Sequence, residues 1–261
     1  MPNREQRRAA HAAAKAGQRR SPEPPKPKVI TIGYCYSERF GVAGQWHRSV
    51  VALLAAGSRA GLAFREIPGE GGPFLSRTRN HILEKHLGFG DDYLLMTDTD
   101  TIFSPEDVGL LLEADAAIAG ALYYAAAPDG GPPWATALVE DEPGHFAPIV
   151  LPELPVAPDP AEFVPGERGD ALLEYEAAVG MFLQELKEAE FQPQKVASVG
   201  MGLTLIKREV CEAMAAAHED PFEYVGHTGE DITFCHRAAD LGFDTILVPQ
   251  ARIGHLKAVV I

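Results

Sequence analysis

Asp98 and Asp100 close a short apolar run in the segment 93–104, YLLMTDTDTIFS, which continues into the helix-start signal SPED. An apolar run bounded by a polar turn predicts a buried strand with its acids at the carboxyl end. In extended backbone, residues two apart leave on one face, so the two carboxylates would stand side by side. Carboxylates so placed repel unless a divalent cation sits between them, and hard oxygen donors suit Mg²⁺ or Mn²⁺. Such ions are typically shared between one or two carboxylates and substrate phosphates, which points to a phosphorylated substrate. A solvated acidic turn accounts for the same letters.

Other residues carry chemistry of their own. Glu230-Asp231 forms an acidic pair at a predicted helix start, after the turn GHTG. A carboxylate there can take a proton from an attacking hydroxyl, or it can simply answer the helix dipole. Arg77, Arg79 and Asn80, in SRTRN, open another helix. The planar fork of Arg suits phosphate, and a solvated helix face suits it equally. Gly200 and Gly202 flank Met201, where the absence of side chains permits either close approach of a substrate or a bulge in a strand.

The elements that must position these residues follow from periodicity and punctuation. Residues 28–34, KVITIGY, predict a first strand. Apolar residues at helical spacing predict a helix over 41–56. A second strand is expected over 62–67, then the turn PGEGGP, then a helix over 76–89 capped by Ser76. After the acidic strand come a helix over 106–113 and an apolar run over 116–124. Residues 125–170 are dense in Pro and Gly, with short strands expected over 134–139 and 146–151; a long irregular stretch of this kind is usually a functional loop or lid. A helix over 171–189, a strand over 195–206 around GMG, helices over 208–218 and 231–241, and a strand over 244–248 complete the chain. Strands alternating with helices predict a mostly parallel α/β sheet with helices on both faces and sites at the strands' carboxyl ends. On that architecture alone, the strand-end residues Tyr34 and Glu66 are expected to line a base and ribose pocket.

At 261 residues, 46 % apolar and 23 % charged, the composition is that of a soluble globular chain. No apolar run approaches the ~18 residues of a membrane span, and the N-terminus lacks the apolar core of a secretion signal. Three cysteines without C-x-x-C spacing argue against a disulfide framework or zinc site and for a reducing, cytoplasmic setting. Residues 1–28 hold eight Lys/Arg against two Asp/Glu, so this Pro-rich leader carries +6 and the remainder −20 within a total of −14. The leader is expected to be a disordered basic tail, and residues 29–261 one domain. An acidic body repels nucleic acid, leaving the tail as the one segment suited to it.

Four segments together resemble the GT-A glycosyltransferases, in particular the family-2-like enzymes of bacteria and bacteriophages. They are SRTRN, the TDTD turn with FSPED and ADAAIAGALY, VGMGLTLIKREV, and GHTGEDITFCHRAADLGF with His255 beyond the last strand. The likeness runs in order over residues 28–257. It implies a GT-A fold and metal-dependent transfer of a sugar from a UDP- or GDP-sugar to an acceptor, with inversion. Asp100 then binds Mn²⁺ or Mg²⁺ directly, with Asp98 near ribose or metal and His255 as a further ligand. Arg79 and Asn80 fall beside the nucleotide and diphosphate, Asp231 is the base, and Glu230 orients the acceptor. The acceptor class (protein, glycan or modified nucleobase) is left open. Two alternatives stand beside this. A strand ending D-x-D also fits the haloacid-dehalogenase-like phosphatases, although this pair is mid-chain and GED is not that family's later G-D-x-x-x-D. A non-catalytic module that binds nucleotide or glycan is the other.

Overall fold

A computed structural model describes residues 27–36, 42–70, 75–125, 134–142, 145–149 and 192–255. The expected basic tail up to residue 26, the helix over 171–189 and most of the Pro/Gly-rich stretch about 125–170 lie outside the described residues.

Strand β1 (Val29–Tyr36), helix α1 (Gly44–Arg59), β2 (Ala63–Glu70), α2 (Leu75–Phe89) and β3 (Tyr93–Asp98) alternate as the periodicity predicts. The short β4 (Thr101–Ile102), α3 (Pro105–Glu113), β5 (Ile118–Leu122) and β6 (Tyr124–Ala125) follow. Beyond them come β7 (Trp134–Ala135), β8 (Ala137–Glu142), β9 (His145–Pro148), β10 (Gln194–Val196), β11 (Ser198–Val199) and β12 (Leu203–Lys207). The chain then runs through α4 (Arg208–Ala217), α5 (Glu230–Asp240), β13 (Thr245–Arg252) and β14 (Gly254–His255).

Seven strands form the central sheet in the order β10-β13-β5-β12-β3-β1-β2. β2, β1 and β3 are mutually parallel, as are β5 and β13. The sheet is largely parallel, with β12 entering antiparallel between β3 and β5 and β10 antiparallel at one edge. Strand alternation sends side chains to opposite faces, and each face meets helices. On one, Leu94, Met96, Ile118 and Ile206 pack against Ile82 and Leu83 of α2, Val210 and Met214 of α4 and Phe234 of α5. On the other, Ile30, Ile32, Leu95 and Leu205 meet Trp46, Val50 and Leu53 of α1 and Val108 and Leu111 of α3. A single α/β domain with helices on both faces results.

Several expectations need correction. β2 runs on to Glu70 through the predicted turn, because an edge strand tolerates Pro68 on its unpaired side. A Cβ at Gly69 would come within 2.3 Å of Thr78 Cγ2 of α2, so only glycine lets helix and strand pack here. Ser76 lies inside the first turn of α2 and does not precede it. The expected strand over 195–206 is three short strands, since the chain leaves the small β11-β8-β9 sheet and turns at Met201-Gly202 to enter the main one. β7 and β8 are parted at Thr136, whose N–H and hydroxyl both donate to the Tyr123 carbonyl. By contrast Ser104 caps α3 as FSPED suggests, in a full capping box with Asp107.

Candidate active site

The acidic turn leaves the sheet at the carboxyl end of β3, beside the end of β1. Three threonines that interleave with its acids hold it. Thr97 Oγ1 accepts from Trp46 Nε1 at 3.1 Å, Thr99 Oγ1 donates to the Cys35 carbonyl at 3.2 Å, and Thr101 Oγ1 reaches the Asp98 carbonyl at 2.8 Å. The alternation TDTDT is the sequence signal for this scaffold, in threonines that carry no reactive chemistry of their own. The strand ends at Asp98 and residues 99–100 form a turn, so the expected same-face arrangement does not hold. The two carboxylates take different partners.

Asp98 Oδ1 lies 3.0 Å from Arg79 Nη2, and Arg79 Nη1 lies 2.5 Å from Glu230 Oε1. Arg79 is 3 % exposed. Burial works against its charge, but Asp98, Glu230 and Asp231 around it more than compensate and raise its pKa. The guanidinium thus joins the acidic turn to the start of α5. It is an internal counter-ion with two of its nitrogens committed, where the motif suggested a phosphate-binding arm. Losing one partner from a buried pair of this kind costs about 3–5 kcal/mol.

Asp100 Oδ2 lies 3.1 Å from His255 Nε2. The antiparallel pairing of β14 with β4 sets His255 opposite Thr101, which carries a residue from the far end of the chain to this turn. His255 Nδ1 is 3.2 Å from the Tyr124 carbonyl oxygen, and its ring meets Tyr123 edge-on at 5.7 Å between centroids. The bond to Asp100 raises its pKa, against the effect of burial.

Glu230 and Asp231 begin α5. Glu230 is buried and receives Arg79. Asp231 is half-buried, and its Oδ1 accepts only from the adjacent Ile232 N–H at 2.8 Å among the hydrogen bonds described. Burial raises its pKa; Arg79 pulls it down and Glu230 pushes it further up. A Cβ at Gly229 would stand 2.8 Å from Asp231 Oδ1, so the glycine of GHTG gives this carboxylate its space.

The other expected residues divide. Tyr34 and Glu66 are brought together: burial and then Glu66 raise the Tyr34 pKa, and Trp46, which no motif singled out, lies 4.5 Å from the Tyr34 ring. Asn80 faces away from the acids. Its Nδ2 donates to the Phe222 carbonyl at 2.8 Å and its Oδ1 accepts the Phe222 N–H at 2.8 Å, which makes it a clamp on the loop before α5. Arg77 lies with Asn80 and His81 along a cleft of about 440 Å³ between α2 and the segment after α4. Gly200 and Gly202 make room for Tyr123, an internal side chain. A Cβ would come within 2.3 Å of its hydroxyl at Gly200 and 2.6 Å of Cζ at Gly202, and the hydroxyl accepts the Gly202 N–H at 3.0 Å.

Among the described residues no group of three or more His, Cys, Asp and Glu side chains stands together as a metal cage. At the acidic turn, Asp100 and His255 face each other as two donors. The three cysteines are buried and unpaired. No described helix is long and apolar enough to cross a membrane.

The arrangement of sheet and helices is consistent with a GT-A-like Rossmann fold. No protein-family model matches the chain, and no curated protein matches it in sequence. Solved structures do align with most of its length. GalNAc-T7 with UDP, GalNAc and Mn²⁺ aligns at a TM-score of 0.51 and 12 % identity, over 89 % of this chain and 43 % of that one. The chain therefore spans less than half of that protein's length. A197 from STIV aligns at 0.49 and 14 % identity, over 88 % of this chain and 86 % of that one. A nucleoside-diphosphate-sugar pyrophosphorylase from Vibrio cholerae RC9 aligns at 0.37 and 10 %, over 87 % and 75 %. At these identities the likeness is one of fold, broad and distant, and does not reach a family-2 assignment.

Proposed function

We propose that the chain is a metal-dependent glycosyltransferase that moves a sugar from a UDP- or GDP-sugar to an acceptor hydroxyl, with inversion. The observation that carries this reading is the setting of His255. Its Nδ1 faces a carbonyl and its Nε2 a carboxylate, both of which only accept. Two arrangements satisfy such a ring: an imidazolium, or an Nδ1–H tautomer whose Nε2 lone pair shares a cation with Asp100. A carbonyl on the far nitrogen is the usual orienting partner of a metal-binding histidine. The donor set of one imidazole and one carboxylate, completed by diphosphate oxygens, fits Mn²⁺ or Mg²⁺, with Asp98 facing the ribose or cation from its Arg79-held position. When bound, the ion would neutralise the charge developing on the departing diphosphate.

The chain's own residues supply the rest. Tyr34 near the carboxyl end of β1, Glu66 in the middle of β2, away from its expected strand end, and Trp46 at the start of α1 offer a tilted aromatic pair and a carboxylate, suited to base and ribose. The acceptor oxygen attacks the anomeric carbon as its bond to the diphosphate oxygen breaks. Asp231, which accepts one described hydrogen bond from the adjacent Ile232 N–H and has a raised pKa, takes the acceptor proton. Glu230 anchors Arg79 and the start of α5. The phosphatase alternative would need Asp98 as a free nucleophile, and its pairing with Arg79 weighs against that.

A panel of UDP- and GDP-sugars, read for donor hydrolysis with and without Mn²⁺, tests the reading. Hydrolysis of at least one donor that depends on Mn²⁺ and is lost in Asp100→Ala is expected. Release of phosphate from phosphomonoesters would favour the phosphatase. Nucleotide binding without any hydrolysis would favour a binding module.

A further inference from the structure

The loop before α5 is fastened at several points and still gives two large side chains to solvent. Asn80 brackets the Phe222 backbone, and the buried Phe222 ring stacks on Phe234 at 4.3 Å and 10°. Arg237 Nη1 donates to the Asp220 carbonyl at 2.7 Å, and Nη2 pairs with Glu223. Val225 and Thr228 exchange backbone hydrogen bonds across a two-residue turn, with Gly226 at φ +61. At the tip of this fastened loop Tyr224 and Val225 are 51 % and 50 % exposed. The Tyr224 side chain lies within electrostatic reach of Glu230, Asp231 and Arg79; burial and then Glu230 push its pKa up to about 12. A half-exposed aromatic ring thus stands beside the acid pair on a fastened loop.

We propose that this half-exposed ring of Tyr224 is a platform for a pyranose ring, so that the acceptor is a neutral carbohydrate whose hydroxyl is presented to Asp231. This rests on the reading that Asp231 takes the acceptor proton. A pyranose has an apolar C–H face that covers an aromatic ring and a rim of hydroxyls that donate to carboxylates. The site offers the complement, an exposed aromatic beside Glu230 and Asp231. The same carboxylates, on a chain of net charge −14, repel phosphorylated acceptors and nucleic acid. A serine or threonine peptide brings a hydroxyl without the stacked ring of C–H groups, and so leaves the Tyr224 face uncovered.

The test uses the full chain without nucleotide or metal. Methyl glucopyranoside, methyl galactopyranoside and methyl N-acetylglucosaminide are titrated, alongside N-acetylthreonine methylamide, and binding is followed by saturation-transfer NMR. Saturable binding of at least one glycoside is expected. It should weaken by about ten-fold in Tyr224→Ala and survive in Tyr224→Trp, since stacking is the lost term. Unchanged thermal unfolding of the alanine variant would show that the loop still folds. Three results overturn the proposal: no saturable glycoside binding, equal binding by wild type and Tyr224→Ala, or binding of the threonine probe alone, which would assign the loop to a protein acceptor. No donor or cation enters this measurement. Failure of Mn²⁺-dependent donor hydrolysis would thus remove the transferase reading while leaving a glycan site standing.

Discussion

Glu230 and Asp231 are adjacent in sequence and unlike in their surroundings. Glu230 is spent on the Arg79 guanidinium, while Asp231 keeps a carboxylate whose one described hydrogen bond is to its neighbour's N–H. That difference makes Asp231→Asn informative. The amide keeps the bond from Ile232 N–H and removes a charge that burial disfavours, so stability should hold or rise slightly. Transfer should fall by the ~10²–10⁴-fold of a lost general base. Near-normal turnover with reduced stability would instead reduce Asp231 to a helix-dipole residue. The identities of the acids were readable in advance, because GED and TDTD are contiguous and their chemistry is carried by residue type. Their partners were not. Nothing local in SRTRN says that Arg79 will be buried between Asp98 and Glu230, residues 19 and 151 positions away.

Helix α2 illustrates how an element's context reassigns a motif. Arg79 points inward to the acids, and Asn80, one residue on, faces the Asp220–Phe222 segment. Adjacent helical positions lie about 100° apart, so an R-N pair does not reach one ligand from the same face. Asn80→Ala separates the two roles. As a clamp, its loss leaves the Phe222 N–H without its partner and should cost about 1–3 kcal/mol in urea unfolding, with Mn²⁺-dependent UDP binding unchanged. As a nucleotide contact it would do the reverse, lowering UDP affinity at constant stability. β14 makes the same point from the other end of the chain: two residues paired with β4 deliver His255 to Asp100.

Across the whole molecule, a buried polar chain ties sheet to helix on the side away from the acids. His86 Nδ1 lies 2.9 Å from Thr31 Oγ1, whose hydroxyl donates to Asp91 Oδ2 at 2.7 Å, and Arg65 Nε pairs with Asp91 at 2.8 Å. Because Thr31 gives its proton to Asp91, the contact with His86 takes a proton on Nδ1. Burial lowers the His86 pKa from 6.5 to about 4. The unfolded chain therefore binds this proton first as pH falls. The stability contributed by His86 is complete above pH 6.5, is lost between 6.5 and about 4, and changes no further below that. The slope from this one group is at most about 1.4 kcal/mol per pH unit. Denaturant unfolding of wild type and His86→Asn across this range should show a flatter profile in the variant; parallel profiles would mean that His86 is not neutral in the fold.

By itself the sequence determined the alternation of strands and helices, the capped start of α3, the acidic strand end and the acidic helix start. Each of these is written in contiguous residues, through a periodicity of two or 3.6, a capping box or a charge placed beside a chain reversal. Tertiary structure alone decided that β12 runs antiparallel through the middle of the sheet and that GMG accommodates Tyr123. It also decided that Arg79 is an internal counter-ion, and that Asp98 and Asp100 part company to meet Arg79 and His255. The physical reason is common to all four. Hydrogen bonds and ion pairs between residues far apart in sequence depend on which strand lies next to which, and no local period or propensity carries that information.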